Sequence, residues 1–150
     1  MQRKFILIVL TLATQSIPLS ADKNLQFLYS SIHELRDSLD LKKLEIDKTL
    51  EIVAKEYVTN LSKHNVLTHT LFSTTPLQRV KKYDKHFCRT KEILAAGMGV
   101  RDIIDAWLSS PPHKEALLNK DTSRMGGHIV STQNNKNIFI IIFGEKFQTN

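Results

Sequence analysis

Residues 105–119, which read DAWLSSPPHKEALLN, decide how this sequence is interpreted. An apolar helix that contains Trp107 stops at Ser110, and the two prolines that follow begin a second short helix. Proline fixes φ near the helical value and lacks an N–H that a first helical turn leaves unpaired. The Ser110 hydroxyl is expected to cap this second helix. His113 then lies in the first turn of a helix at a tight corner, where a titratable side chain is accessible to a ligand.

The N-terminus has the features of an export signal. Arg3 and Lys4 precede an apolar run, residues 5–13, that is too short to span a bilayer. The segment then ends in small residues at Ser20 and Ala21. We therefore expect residues 1–21 to be a signal peptide and residues 22–150 to be a single domain, with no transmembrane span in the mature chain. A retained N-terminal anchor is the alternative. The exported protein would reside in the periplasm, on the outer surface or outside the cell.

Charge and cysteine content limit the classes of function. Loss of the leader lowers the formal charge of +6 by two, which leaves a mildly basic surface and argues against a nucleic-acid partner. The densest basic cluster comprises Arg79, Lys81, Lys82, Lys85, Arg89 and Lys91. It is either a solvated loop or a contact surface for anionic lipid or polymer. Cys88 is the only cysteine, so no intrachain disulfide can form. Its thiol is either buried and inert or available for intermolecular pairing, and a hydrophobic core must stabilise the domain.

Periodicity predicts helices first and strands late in the chain. Apolar residues at helical spacing indicate a helix over residues 24–39. Asp47 is expected to cap a second helix that ends near Asn65, and a Thr-rich loop, residues 66–75, follows it. Pro76 begins a short helix, and another is expected over residues 100–108. The polar stretch 85–90 has no clear pattern.

The C-terminal third has a strand pattern. Gly126 and Gly127 are expected to open a strand at residues 128–132, and a polar turn leads to residues 137–143. These read NIFIIIF and are apolar on both strand faces. Such a strand must be covered on both sides, so we predict an α+β fold, a three-layer α–β–α sandwich with a small, mostly antiparallel sheet between helices.

Several blocks of sequence resemble a known family in their order and spacing. Residues 39–70 resemble its second-helix block, which ends in an F-S-H loop, and the final IIIFGEKF resembles its last strand. Three more blocks resemble family motifs. TPLQRV (residues 75–80) resembles T-P-F-D-R-I, and KEILAAG (91–97) resembles G-E-N-I-A-A-G. AWLSSPPHKEALLN (106–119) resembles A-W-x-x-S-P-G-H-R-x-x-I-L-N. The chain thus resembles the compact bacterial form of the CAP superfamily, the SCP-like extracellular domain of cysteine-rich secretory, antigen 5 and pathogenesis-related proteins.

This resemblance implies a cleft with two histidines and one or two glutamates. Matched position by position, His69 is the loop histidine, Glu92 the glutamate and His113 the second histidine. Tyr57 stands where a helix histidine is frequent, and we expect its hydroxyl near the cleft as a further ligand-binding group. Pro112 replaces the glycine before the second histidine, and no residue matches a second glutamate.

Two functions remain open from the sequence. The first is a non-catalytic binding module of the cell envelope, whose ligand is a lipid or sterol, an envelope polymer or a host protein. The second is a metal-assisted hydrolase or peptidase, in which His69 and His113 hold a divalent metal such as zinc and Glu92 acts as ligand or general base. The three side chains could instead form a hydrogen-bonded cluster that only holds loops together.

A serine or cysteine hydrolase has less support. Ser109, Ser110 and Cys88 lie near histidines in the sequence, but no pattern places an acid partner for any of them. No catalytic residue is therefore assigned, and a binding protein is favoured over an enzyme.

Overall fold

The computed structural model describes residues 19–147, so most of the expected signal peptide, residues 1–18, lies outside the described residues. Within this range the chain forms five α-helices, one 3-10 turn and four strands. The helices are α1 (Leu19–Asp37), α2 (Lys48–His64), α3 (Pro76–Lys81), α4 (Ile103–Leu108) and α5 (Pro111–Leu117), and the 3-10 turn is Leu71–Ser73. The strands are β1 (Glu45–Ile46), β2 (Phe87–Ala96), β3 (Arg124–Ser131) and β4 (Asn137–Lys146). In residues 19–147, no helix has the length and apolar character that a membrane span requires.

The four strands form one sheet in the order β1-β3-β4-β2. Strand β4 pairs antiparallel with both β2 and β3, whereas the two-residue β1 pairs parallel with β3. The prediction of a small, mostly antiparallel sheet is thereby confirmed. Strand β2 lies at one edge, so a side chain on it can face a cleft that opens beyond the sheet.

The central strand β4 supplies both hydrophobic cores. Its odd-numbered residues Phe139, Ile141 and Phe143 pack with residues of α1, α4 and α5, and we call this cluster the α1-side core. Its even-numbered residues, 138, 140 and 142, pack with α2 and with Val80 of α3 in the α2-side core. The three-layer α–β–α arrangement predicted from the two apolar faces of this strand is confirmed.

Helix α2 begins and ends at the predicted residues because both caps are local. The Asp47 carboxylate accepts from the backbone N–H groups of Thr49 at 2.9 Å and Leu50 at 3.2 Å. Asn65 ends the helix in the left-handed conformation at φ 50° and ψ 45°. These two caps fix the point at which the loop that carries His69 leaves the helix.

The expected strand boundaries were partly wrong. Residues 87–90 of the stretch without a clear pattern belong to β2, and β3 begins at Arg124, two residues before the paired glycines. Gly126 lies inside β3 because α2 passes very close to it, and a Cβ there would approach the backbone nitrogen of Glu51 to 2.5 Å. Glycine at this position therefore allows the helix to contact the sheet.

The cap of α5 was predicted correctly in position but wrongly in mechanism. Ser110 is the N-cap residue, yet its hydroxyl makes no capping hydrogen bond, and its backbone oxygen accepts from Lys114 N at 2.8 Å. A capping hydroxyl normally bonds the second or third N–H of a helix. Pro112 occupies the second position and has no N–H, so one of the two usual donors is absent.

Candidate functional site

The loop after α2 and the edge strand β2 bring together two of the residues predicted from the sequence. Glu92 lies on the same face of β2 as Leu94, which belongs to the α2-side core, and only 1% of the Glu92 side chain is exposed. The His69 Nδ1 atom is 2.9 Å from Glu92 Oε1. A carboxylate only accepts, so Nδ1 carries the proton in this pair, and Nε2 remains for an external partner.

The second oxygen of the same carboxylate is held by a residue that the sequence did not assign to the site. Arg79 Nη2 donates to Glu92 Oε2 at 2.5 Å, and Arg79 Nη1 donates to the backbone oxygens of His69 at 3.1 Å and Thr74 at 2.7 Å. Arg79 is buried, although we expected it in a basic surface cluster. Its position beside Val80 on the inward face of α3 was the signal that could have revealed this role.

Tyr57 of α2 holds the loop that carries His69. The guanidinium carbon of Arg79 lies 3.5 Å from the centre of the Tyr57 ring. The Tyr57 hydroxyl donates to Thr68 O at 2.7 Å and accepts from Leu71 N at 2.9 Å. Burial raises the pKa of Tyr57, and the other contributions are smaller. Because its hydroxyl already has two partners, Tyr57 positions the loop.

His113 lies in the first turn of α5, a helix that packs against β2. It is half-buried, and this burial lowers its pKa, with a smaller lowering by the positive charge of His69. The fold therefore favours the neutral form of the His113 imidazole. The side-chain hydrogen bonds recorded within residues 19–147 do not involve the His113 ring.

These residues do not fit a metal centre. In the part of the chain that the structure describes, no three side chains of His, Cys, Asp or Glu form a group that could hold a metal ion. Each oxygen of Glu92 already faces a donor, and one of these donors is a guanidinium. A divalent cation bound here would lie beside the positive charge of Arg79, which opposes its binding.

Two of the three candidate nucleophiles, Ser109 and Cys88, are engaged elsewhere. The Ser109 hydroxyl donates to the backbone oxygen of Asp105 at 2.8 Å, and the Cys88 thiol donates to the backbone oxygen of Glu145 at 3.3 Å. His86 pairs with Asp84 at 2.9 Å. These contacts provide no Ser–His or Cys–His pair of the kind that nucleophilic catalysis requires.

The expected basic cluster is divided by the fold. Arg79 is buried, and Arg89 and Lys91 form surface ion pairs with Glu145 at 2.7 Å and Glu115 at 2.6 Å. Lys81, Lys82 and Lys85 are exposed. Their charges leave a small basic surface near α3.

Sequence and structure comparisons agree with this architecture. The profile of the cysteine-rich secretory protein family, CAP, matches residues 29–143. A Borreliella burgdorferi protein of uncharacterised function is 46% identical over 150 residues, which cover 96% of this chain and 97% of that protein.

Two solved structures share the fold. An outer surface protein from Borrelia burgdorferi superposes with a TM-score of 0.81 at 50% identity, over 83% of this chain and 94% of that chain. A cysteine-rich secretory protein from Staphylococcus aureus superposes with a TM-score of 0.74 at 22% identity, over 86% of this chain and 40% of that chain. The second likeness concerns the fold alone.

Proposed function

Because this chain belongs to the cysteine-rich secretory protein (CAP) family, we propose that it is an exported envelope protein that binds a ligand between His69 and His113 without converting it. The observation that carries this proposal is the state of Glu92. Its carboxylate is almost completely buried, and its two oxygens are held by Arg79 and His69. This arrangement stabilises a binding surface and leaves neither oxygen without a donor.

The exposed groups of the proposed site suit recognition by hydrogen bonds. The His69 side chain is 45% exposed, and its Nδ1–H is held by Glu92, so Nε2 can accept from a ligand. His113 is neutral near pH 7 and offers one donor and one acceptor. The ligand classes expected from the sequence remain a lipid or sterol, an envelope polymer or a host protein, and the polar groups of any of these could bind here.

Export has independent support. The basic and apolar segments of residues 1–21 have the form of a signal peptide, and a relative at 50% identity is named an outer surface protein. We propose the outer surface or periplasm as the location. Mass spectrometry of protein purified from the cell envelope is expected to find Asp22 as the first residue. Protein that retains Met1 would instead indicate an uncleaved anchor.

The cleft is tested with histidine variants. A screen of phospholipid and sterol vesicles, peptidoglycan fragments and purified host surface proteins is expected to find a ligand whose affinity falls by about tenfold in His69→Ala and in His113→Ala, because each change removes a buried hydrogen bond of about 1.4 kcal/mol. His86→Ala is the matched control, since that imidazole is exposed and paired with Asp84. A cleft ligand that binds both variants as tightly as the parent protein, or a screen without any ligand, would contradict the proposal.

The metal-assisted hydrolase has less support, because Arg79 neutralises the carboxylate that would bind or activate a metal-bound water. A zinc site saturated at one hundred times its Kd would raise the free energy of unfolding by about 2.7 kcal/mol. We expect no change in melting temperature with zinc. An increase that His113→Ala abolishes would favour the hydrolase over the binding protein.

A further inference from the structure

A groove of about 470 Å³ opens between α2 and α3, and we call it the α2–α3 groove. Two aromatic side chains line it, Phe72 and Tyr83, which are 63% and 50% exposed. Arg79 also lines the groove. The volume of the groove is within the range of small-molecule sites, which combine apolar surface with a few polar groups.

Phe72 is held in a conformation that the fold itself does not explain. Its backbone lies in the left-handed region at φ 59° and ψ 27°, and Ser73 follows with φ 55°. This region costs a residue with a Cβ about 1–2 kcal/mol. The strained backbone presents an apolar ring to solvent, where its recorded aromatic contact is with the edge of His64 at 5.3 Å. Strain that places an exposed ring beside a groove is typical of a ligand contact.

An unsatisfied donor lies at the same groove. Arg79 Nε is buried and has no hydrogen-bond partner among the described residues, although Nη1 and Nη2 are both bonded. A buried donor without a partner costs about 1–3 kcal/mol, and an acceptor oxygen from a ligand would remove this penalty. Lys82 also lines the groove and is exposed. These two cationic side chains, the cationic pair, can together bind one carboxylate.

The α2 wall of the groove adds acceptors. Tyr83 donates to one carboxylate oxygen of Glu56 at 2.6 Å, and the amide nitrogen of Asn60 donates to the Glu56 backbone oxygen at 3.0 Å. The second Glu56 oxygen and the Asn60 side-chain oxygen have no recorded partner within residues 19–147. These two oxygens, the acceptor pair, can accept hydrogen bonds from hydroxyl or N–H groups of a ligand. An acyl chain offers no such donor.

We propose that the α2–α3 groove binds a saccharide that carries a carboxylate. The two aromatic rings pack against the C–H face of the sugar, the cationic pair binds the carboxylate, and the acceptor pair takes hydrogen bonds from the hydroxyl groups. This site shares Arg79 with the cluster around Glu92, but its lining does not include His69 or His113, and its ligand is independent of the one proposed for those histidines. Glucuronate-containing glycans and N-acetylmuramic acid are two sources of the same chemistry.

Calorimetric titration of the purified protein tests the ligand class. The probes are a hyaluronan hexasaccharide, which carries glucuronate, a glycan fragment that carries N-acetylmuramic acid with a free carboxylate, and neutral chitohexaose. We expect at least one carboxylated probe to bind, and the better of the two identifies the source. Chitohexaose has no carboxylate for the cationic pair to bind, so its affinity is expected to be about tenfold lower than that of the better carboxylated probe. Equal affinity for chitohexaose, or no binding of either carboxylated probe, would overturn the proposal.

Two variants place the binding in the groove. Lys82→Gln is expected to lower the affinity for the carboxylated probe by about fivefold. Lys85 is exposed and lies outside the groove lining, so Lys85→Gln is expected to leave this affinity unchanged. Phe72→Gly removes the ring, and glycine fits the left-handed backbone without strain. We expect this variant to keep or raise the melting temperature and to lose about tenfold in affinity. Undiminished affinity in Phe72→Gly would overturn the groove as the site.

Discussion

Replacement of Arg79 by methionine tests whether the buried ion pair stabilises the site. The change removes the guanidinium and keeps a side chain of similar length, so Glu92 is left 1% exposed without its counterion. Removal of one partner from a buried pair costs about 3–5 kcal/mol, because the remaining charge stays desolvated. The backbone oxygens of His69 and Thr74 also lose their donor. We therefore expect the free energy of unfolding to fall by about 4 kcal/mol, near the middle of that range.

Urea unfolding of four proteins measures this energy: the parent, Arg79→Met, Glu92→Gln and the double variant. The double variant is expected to be less destabilised than the sum of the single changes, by about 1–3 kcal/mol, because it contains no unpaired buried charge. Arg89→Met is the matched control, since Arg89 pairs with Glu145 at the surface and its loss should leave the urea midpoint unchanged. A fall below about 1 kcal/mol in Arg79→Met, or strictly additive costs, would show that Arg79 does not compensate the charge of Glu92.

Three further predictions concern the fold around the site. Arg36 is fully buried and donates to Leu117 O at 2.8 Å and Asn119 O at 3.0 Å, so Arg36→Met is expected to lower the free energy of unfolding by about 3 kcal/mol in urea titrations. An unchanged urea midpoint would show that these hydrogen bonds between α1 and the end of α5 do not stabilise the fold. Gly126→Ala places a methyl group against the backbone of α2 and should cost about 1–3 kcal/mol by thermal unfolding, whereas a neutral result would mean that α2 can move away from β3. Burial lowers the pKa of three histidines, His33, His113 and His128, so the fold favours their neutral form. Their contribution to the free energy of unfolding is fully present above pH ~6.5 and declines as the pH falls below that value. Urea midpoints compared at two pH values on either side of 6.5 check this sign, and a midpoint that rises on acidification would refute it.

Local chemistry explains what could be predicted from the sequence. The caps at Asp47 and Asn65 depend on residues within one helical turn, and the two apolar faces of β4 can be identified because each residue from 138 to 143 is apolar. Arg79 was missed because its partner Glu92 lies thirteen residues later, on a different element, while the next basic residues in the sequence, Lys81 and Lys82, are exposed. Gly126 was placed outside its strand because the reason for glycine there is the approach of α2. The position of Arg79 beside Val80 could indicate its burial, but its pairing with Glu92 and the packing of α2 on Gly126 are tertiary contacts that no local pattern contains.

The position of β4 (Asn137–Lys146) in the chain affects when the protein can fold during synthesis. A growing chain that lacks this strand is missing residues of both the α1-side core and the α2-side core. Neither core can be completed until β4 has been made, which suits the export of an unfolded chain. The segment NIFIIIF, which is largely apolar and uncharged and therefore prone to intermolecular β-pairing, emerges late and then pairs with β2 and β3, so its exposure to other nascent chains is brief.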